Sequence, residues 1–193
     1  ICGYFPSPVQ KICAGMNMKT NDIYEANYDF AKAKSAYVFK TIVDPFIGKY
    51  SLIKVCSGVI KGEDTLYNPT KDADEKPGKI YVLQGGKPIE VPELHAGDIG
   101  AIAKLNTVAT GDTLSPRTTP VAFGKTEISV PYTCKRYKTV NKGDEDKVSQ
   151  ALSRMMQEDQ TLRIENDSAN RQTLMYGIGE QHLDIVCSKL KER

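Results

Sequence analysis

Residues 144–190 read DEDKVSQALSRMMQEDQTLRIENDSANRQTLMYGIGEQHLDIVCSKL, and they decide the fold of the second half of the chain. Val148, Leu152 and Met155 recur at helical spacing after an acidic start, which predicts an amphipathic helix. Apolar positions on both sides of the polar residues 166–170 then predict a β-hairpin. A second helical stripe follows, made of Leu183, Val186, Cys187 and Leu190.

A strand is expected before the first helix. Ile128, Val130, Tyr132 and Cys134 alternate with other residues at the period of a half-buried strand, and Pro131 indicates an edge or a bulge. The predicted order β-α-β-β-α begins a ferredoxin-like, split βαβ fold, which normally closes with one more strand. We therefore expect residues 120–193 to form such a domain with its last strand missing, and the chain to be a fragment.

The first half of the chain predicts a small β-barrel at residues 36–119. Its β-rich runs, separated by Gly and Pro turns, are residues 37–43, 50–56, 79–83 and 99–103. Short strands at such spacing are typical of barrels, and no helical stripe of useful length interrupts them. Before them, Pro6 and Pro8 stiffen the chain, so residues 1–35 are interpreted as a linker or the tail of a preceding domain. The fold class is mainly β plus α+β.

Composition limits the possible function classes. The 193 residues carry 26 basic and 24 acidic side chains, a net charge of +2, which is too balanced to announce a polyanion partner by itself. Five cysteines without C-x-x-C spacing predict free thiols in a reducing cytoplasm. The longest apolar runs are far shorter than the roughly 20 residues of a membrane helix, and no secretory leader is visible.

One short string suggests nucleotide binding. Asn141-Lys142-Gly143-Asp144 matches the guanine-reading tetrapeptide of GTPases. A nucleotide site also needs a phosphate-binding G-x-x-x-x-G-K-[ST] loop, and the sequence contains none. The simpler interpretation is a polar turn in which Asp144 caps the following helix. We therefore expect no GTP binding and no catalysis by this chain.

The turn before the second helix is a candidate site. In Gly177-Ile178-Gly179-Glu180, exposed N–H groups could bind an anion, or the glycines could simply permit a tight turn. Glu180 and His182 are two apart on a helix and point in different directions, so an acid–base dyad is not expected. Neither this histidine nor the only other one, His95, has acidic or Cys neighbours at metal-ligand spacing, so we expect no metal.

A loop in the predicted barrel is the other candidate. Phe46 lies at the expected loop tip, with Lys40, Lys49 and Lys54 near it in sequence. An exposed aromatic among lysines can contact an RNA base or backbone, but Phe46 could equally fold back into the barrel end.

Several separate strings follow one another in the order found in elongation factor G. YFPSP at residues 4–8 resembles the exit from that family's GTPase domain, and DPFIGK at residues 44–49 resembles the opening of its second, β-barrel domain. Further strings similar to the family are SG at 57–58, AGDI at 96–99, TGDTL at 110–114, QAL at 150–152, ED at 158–159 and GIGEQHLDI at 177–185. The last contains the third-domain signature G-x-G-E-x-H-L.

The resemblance implies a bacterial, cytoplasmic factor that uses GTP hydrolysis on the ribosome to promote translocation. GTP and Mg²⁺ would bind the missing GTPase domain, which leaves docking and coupling to this chain. The residues implied in contact with small-subunit ribosomal RNA are Phe46, Gly48 and Lys49. The residues implied in coupling to the GTPase domain of the same protein and to a small-subunit protein are Gly177, Gly179, Glu180 and His182.

Departures from the family leave its exact role open. Asp72, Asp74 and Glu75 stand in a loop where standard translocases tend to be basic, which would weaken contact with phosphate. Gln181 replaces the usual Leu of the signature, and residues 120–127 form a short stretch. These features suggest a divergent paralogue, such as a ribosome-recycling or a tetracycline-resistance ribosome-protection protein.

Two alternatives belong to other classes. The first is a free-standing RNA-binding barrel with an appended ferredoxin-like domain and no GTPase, which would bind RNA in a salt-dependent way. The second is a thiol or metal enzyme that uses Cys56 or Cys134 with a histidine, although the ligand spacing for it is missing.

Overall fold

The computed structural model describes residues 3–44, 48–139 and 142–192. The chain divides into two compact units, Ile1–Thr126 and Glu127–Arg193, and each unit has a hydrophobic core of its own. The first unit contains strands and the second combines strands with two α-helices in the described ranges. The prediction of a mainly β part followed by an α+β part is confirmed.

The strands of the first unit are mostly short and joined by turns. In chain order they are β1 (Ala14–Asn17), β2 (Ile23–Glu25), β3 (Ser35–Asp44), β4 (Gly48–Ser57), β5 (Val59–Lys61), β6 (Leu66–Asn68), β7 (Ala73–Glu75), β8 (Ile80–Gln84), β9 (Lys87–Val91), β10 (Glu93–His95), β11 (Ile99–Ala103), β12 (Thr113–Leu114) and β13 (Val121–Phe123).

One apolar core serves three of the sheets in this unit. The largest sheet has the order β12-β3-β4-β11-β8-β9, and β5 pairs with β10 and β6 with β7 in two small ribbons. The core draws fully buried side chains from all three sheets, among them Ile53, Ile60, Leu66 and Ile102. Sheets arranged around a shared core match the small barrel that the sequence predicts.

The residues before the barrel are more structured than a linker. β1 pairs with β2 on one side and with β13 on the other, both antiparallel. Gly15 lies where an added Cβ would approach the carbonyl oxygen of Ala122 to 2.7 Å, so the close pairing with β13 needs a glycine there. Because β13 belongs to this sheet, the division between the units falls after Thr126 and not after residue 119, where the sequence placed it.

A tight turn connects β10 to β11. Gly97 has a φ of +96°, which favours glycine, and its N–H donates to the carbonyl of Val55 at 2.8 Å. The carboxylate of Asp98 accepts the N–H of His95 at 2.9 Å, and the N–H of Asp98 donates to the carbonyl of His95 at 2.9 Å. The N–H of Val55 completes the set by donating to the carbonyl of Asp98 at 3.0 Å, so the turn is tied to β4. We name it the first Gly-Asp turn.

The same set of bonds recurs before β12. Gly111 has a φ of +92° and donates to the carbonyl of Val38 at 2.7 Å, while Val38 donates to the carbonyl of Asp112 at 2.9 Å. The carboxylate of Asp112 accepts the N–H of Ala109 at 2.9 Å. This second Gly-Asp turn is tied to β3, the partner of β4 in the central hairpin. The AGD and TGD strings of the sequence therefore build one turn twice.

The second unit follows the predicted order. Its elements are β14 (Thr133–Tyr137), α1 (Glu145–Glu158), β15 (Arg163–Asp167), β16 (Gln172–Gly177) and α2 (Glu180–Lys191). The antiparallel sheet has the order β14-β16-β15, as in a split βαβ fold. Leu152 and Met155 of α1 pack with Leu183 and Val186 of α2 in the core. Within the described ranges, neither α-helix is long and apolar enough to cross a membrane.

The strand before α1 begins later than predicted. Ile128, Val130 and Tyr132 are 46%, 78% and 79% exposed, and β14 starts only at Thr133. Their alternation therefore has no buried face, and Pro131 has no N–H to donate to a neighbouring strand. The N–H of Tyr132 still donates to the carbonyl of Gly177 at 3.2 Å, which marks the approach to the sheet.

The start of α1 also differs from the expected capped turn. Asn141 lies outside the described residues, and Lys142–Asp144 form one turn of 3-10 helix. Asp144 occupies the N-cap position, but its side chain makes no capping hydrogen bond. Its carboxylate instead accepts the ammonium of Lys147 at 3.3 Å, so the predicted side-chain cap is wrong.

Candidate functional site

The connection from β3 to β4 carries the first predicted site. Phe46, the expected aromatic contact, lies outside the described residues. Gly48 has a φ of +93°, a backbone conformation that favours glycine. Among the described residues other than its chain neighbours, nothing lies within 4 Å of the position that a Cβ would take at Gly48, so its backbone conformation is what favours glycine there.

Lys49 is partly buried and is held by its own barrel. Its ammonium donates a hydrogen bond to the backbone carbonyl of Val108. Burial lowers the pKa of Lys49, and the charge of Lys71 lowers it further, while Glu75 and Asp112 act in the opposite direction. The side chain thus braces the end of the barrel instead of extending into solvent, a role that the sequence did not indicate.

Two buried carboxylates lie near Lys49. Asp112, at 1% exposure, accepts the side-chain amide of Asn68 at 2.9 Å in addition to its bond within the second Gly-Asp turn. Glu75, at 6% exposure, accepts the N–H and the hydroxyl of Thr107 at 2.6 and 2.7 Å. Glu75 therefore stabilises the loop after β11, and it is not an exposed charge that could repel phosphate.

The other acidic residues of that loop have a cationic partner. Arg117 contacts the carboxylates of Asp72 at 3.6 Å and Asp74 at 3.2 Å, and its guanidinium lies over the ring of Tyr67 at 4.3 Å from the centroid. The hydrogen bond to Asp74 raises the pKa of Arg117. The single guanidinium of Arg117 thus offsets half of the negative charge of these two carboxylates.

The turn between β16 and α2 carries the second predicted site. Gly177 ends the strand, and a Cβ added to it would lie 2.7 Å from His182 Nδ1 and 2.7 Å from a methyl of the fully buried Leu183. Gly179 differs, because its backbone is extended and nothing lies within 4 Å of its Cβ position. Packing therefore requires glycine at position 177, whereas position 179 has room for a side chain.

His182 is fixed from both sides of its ring. Its Nδ1 accepts the N–H of Ile178 at 3.3 Å, which places the ring proton on Nε2, and Nε2–H donates to Asp159 Oδ2 at 2.9 Å. The imidazole is only 17% exposed. Glu180 does not face it and is exposed in the first turn of α2, as the helical geometry predicted.

Asp159 is the partner that sequence reasoning did not identify. It follows α1 directly, and its Oδ1 accepts the N–H and the hydroxyl of Thr161 at 2.9 and 2.6 Å. Burial alone would raise the pKa of Asp159, but the hydrogen bonds from Thr161 and the contact with His182 outweigh it, so the pKa is lowered. The D-x-T pattern after a helix is a signal for this local turn, but not for the histidine 23 positions away.

The pair of His182 and Asp159 joins the end of α1 to the start of α2. Both ring nitrogens of the histidine are engaged, which suits a structural bridge better than proton transfer. Across the described residues, no group of three or more His, Cys, Asp or Glu side chains could hold a metal ion. The geometry thus supports a rigid turn that presents the exposed residues Ile178 and Glu180.

Comparisons with known proteins found two matching family models. A family model described as elongation factor G domain 2 matches residues 33–116, and one described as elongation factor G domain III matches residues 129–193. Together the two models match most of the chain.

A solved structure also matches across both units. The chain is similar to a protein from Thermus thermophilus, with 26% sequence identity and a TM-score of 0.73 over 83% of this chain. The chain spans 24%, about a quarter, of the length of that protein. The two family models and this structural match place both units in one family, and the chain therefore belongs to the elongation factor G family of translation factors and carries its second and third domains.

Proposed function

We propose that this chain is the non-catalytic docking and coupling part of a ribosome-associated GTPase that promotes GTP-dependent translocation. GTP and Mg²⁺ would bind a separate GTPase domain of the same protein, in the cytoplasm. The observation that carries the proposal is the bridge between His182 and Asp159, which holds the signature turn rigid. Hydrogen-bond networks and rigid elements of this kind can carry energetic coupling between two surfaces when they have two arrangements.

Within the signature, the four nominated residues divide into two roles. Gly177 and His182 lie inside the unit and position the turn through close packing and two hydrogen bonds. Glu180 is exposed and Gly179 has open space beside it, so these two would contact the GTPase domain or a small-subunit protein. The carboxylate of Glu180 would suit a basic partner surface.

At the barrel, we propose contact with small-subunit ribosomal RNA through Phe46, Gly48 and Lys49. Gly48 would offer its backbone to a phosphate, since it has no side chain of its own and no described residue other than its chain neighbours lies within 4 Å of its Cβ position. Lys49 would have to exchange its bond to the carbonyl of Val108 for one to a phosphate. Its contribution to RNA affinity should therefore be smaller than that of a free surface lysine.

A paralogue that recycles or protects ribosomes is the second candidate. Asp72 and Asp74 favour it, because they place carboxylates on a barrel surface that would approach RNA. Their pairing with Arg117 offsets half of that charge, because one guanidinium faces two carboxylates. Such a surface would weaken docking without preventing it.

Ribosome co-sedimentation of the full-length protein tests the proposal. The protein should bind in the presence of a non-hydrolysable GTP analogue and more weakly with GDP, while this chain alone binds weakly. Glu180→Gln should reduce ribosome-stimulated GTP hydrolysis and leave folding intact. Glu145→Gln is the matched control, because it removes the same charge from the first turn of the other helix. Equal binding with both nucleotides, or equal effects of the two variants, would contradict the coupling role.

A further inference from the structure

The antiparallel sheet of the second unit has one covered face and one open face. Tyr137 of β14, Met175 of β16 and Ile164 of β15 pack in the core with the two α-helices. Because side chains alternate along a strand, the residues that alternate with these three point away from the helices. On that side, which we name the open face, lie Cys134 and Arg136 of β14, Leu174 and Tyr176 of β16, and Arg163 and Glu165 of β15.

The centre of the open face is apolar and aromatic. The strand pairing places Tyr176 of the central strand between Cys134 and Arg163. Leu174 lies on the same strand, and both Leu174 and Tyr176 are half-buried. Tyr132, two positions before Cys134, is 79% exposed. Tyrosine rings on an uncovered sheet are surfaces on which unpaired nucleic-acid bases can stack.

The carboxylates of the open face already have partners within the unit. Glu165 forms an ion pair with the guanidinium of Arg163. Asp167, at the end of β15, accepts the side-chain amide of Asn170 at 2.7 Å and its backbone N–H at 3.1 Å. The negative charge of this face is therefore held by neighbouring donors.

The cations at the end of β14 have no such partner. Arg136 and Lys138 are exposed, and neither forms an ion pair with a residue that the structure describes. An apolar protein surface that covered this face would strip water from both charges, which is costly when no counter-charge replaces the water. An RNA backbone would instead supply phosphates to both side chains. The charge and the aromatic centre together favour RNA as the occupant.

A cavity of about 480 Å³ at the end of β14 limits where the RNA can lie. Arg136, Lys138 and Arg171 line it, and so do Glu145 and Asp146. None of these five side chains forms an ion pair with another of them. The two carboxylates repel a phosphate. The cavity is therefore a poor phosphate site, and Arg136 and Lys138 would contact the backbone from the open face.

We infer that the open face binds single-stranded RNA, with bases stacked on Tyr132 and Tyr176 and phosphates bound by Arg136 and Lys138. The bases must be unpaired, because a duplex keeps its bases stacked on one another and offers no free ring to a tyrosine. Stacking tolerates every base, so the affinity should depend little on sequence. The site lies wholly in the second unit, and the inference does not depend on the function proposed above.

Fluorescence anisotropy of a labelled single-stranded RNA of about eight nucleotides, titrated with the whole chain, tests the stacking. Tyr176→Ala should weaken binding by about 5- to 150-fold, the loss expected for one stacked base, whereas Tyr176→Phe keeps the ring and should bind within about twofold of the unaltered protein. Tyr132→Ala should show a loss in the same range without disturbing the sheet, because Tyr132 precedes β14 and is mostly exposed. Tyr4→Ala is the matched control, since Tyr4 is 94% exposed in the first unit.

The salt dependence of the same titration tests the two cations. Arg136→Gln/Lys138→Gln should reduce the slope of log Kd against log salt by about 1.4, because each phosphate contact to a single strand contributes about 0.7. Lys189→Gln/Lys191→Gln is the control, since it removes two exposed cations from α2 in the same unit. The inference is overturned if the unaltered protein shows no binding at low salt, if it binds an RNA duplex as tightly as the single strand, or if the open-face variants behave like their controls.

Discussion

Removing the imidazole of His182 should destabilise the second unit by about 2 kcal/mol. The bond from Nε2–H to the Asp159 carboxylate spans 2.9 Å, but the carboxylate is 41% exposed, so we assign it about 1 kcal/mol, below the roughly 1.5–3 kcal/mol of bonds to charged groups, because solvent screens it. The longer bond from Ile178 and the lost packing of a ring that is 17% exposed supply the remainder. Asp159→Asn should also cost stability, because its amide would face Nε2–H with a second donor.

Far-UV circular dichroism at 222 nm measures the loss of stability of the second unit separately. Both α-helices of the described ranges lie in the second unit, so their signal follows its unfolding in urea. A double-mutant cycle with His182→Ala and Asp159→Ala should give a coupling free energy of about 1 kcal/mol, and His182→Ala alone should lower the Tm of a unit this small by roughly 4–8 °C per kcal/mol.

The coupling should depend on pH in a defined direction. Folding lowers the pKa of Asp159, so its contribution to stability is complete above the ordinary carboxyl range, about pH 4, and is lost as pH falls through the lower folded pKa. His95→Ala is the control, because the imidazole of His95 is 48% exposed and lies in the first unit. A coupling below about 0.3 kcal/mol at pH 7, or equal losses from both histidine variants, would refute the bridge.

Matched pairs within the chain supply the remaining predictions. Gly177→Ala should lower the free energy of unfolding by about 1–3 kcal/mol, because the added methyl overpacks against Leu183, while Gly179→Ala should lower it by less than about 1 kcal/mol. Equal losses of the two variants in urea unfolding would contradict the packing role of Gly177. Asp112→Ala should lower the free energy of unfolding by about 2–4 kcal/mol and exposed Asp98→Ala by about 1 kcal/mol, because only the first change leaves buried partners unpaired. Tyrosine fluorescence during denaturation measures both losses. A larger loss for Asp98→Ala than for Asp112→Ala would contradict the role of the buried partners.

Local patterns predicted the second unit well because each of its elements buries one face. Val148, Leu152 and Met155 recur at helical spacing, and on α1 these side chains pack in the core of the second unit. The hairpin and α2 follow in the same way. The strand prediction was wrong at Ile128 and Val130, where apolar residues alternate at the period of a strand but neither side chain is buried. Periodicity reports a buried surface only where another element covers it.

Contacts between distant positions could not be read from the sequence. The pairing of β1 with β13 and the bond from His182 to Asp159 depend on how the chain returns to itself. The sequence grouped Glu75 with Asp72 and Asp74 as charges that would weaken contact with phosphate, whereas the barrel buries the Glu75 side chain. The predicted contact residues Gly48, Lys49, Gly179 and Glu180 stay predictions about partners.

The two Gly-Asp turns have a consequence for how the barrel can be altered. Each uses the same four backbone and side-chain bonds, one to β4 and the other to β3, and those strands are partners in the central hairpin. The two turns therefore share one backbone pattern but differ in their surroundings, since Asp112 is buried and also accepts the amide of Asn68 while Asp98 is exposed. The exposed turn at residues 95–98 is therefore the one at which sequence could be changed without disturbing the core of the barrel.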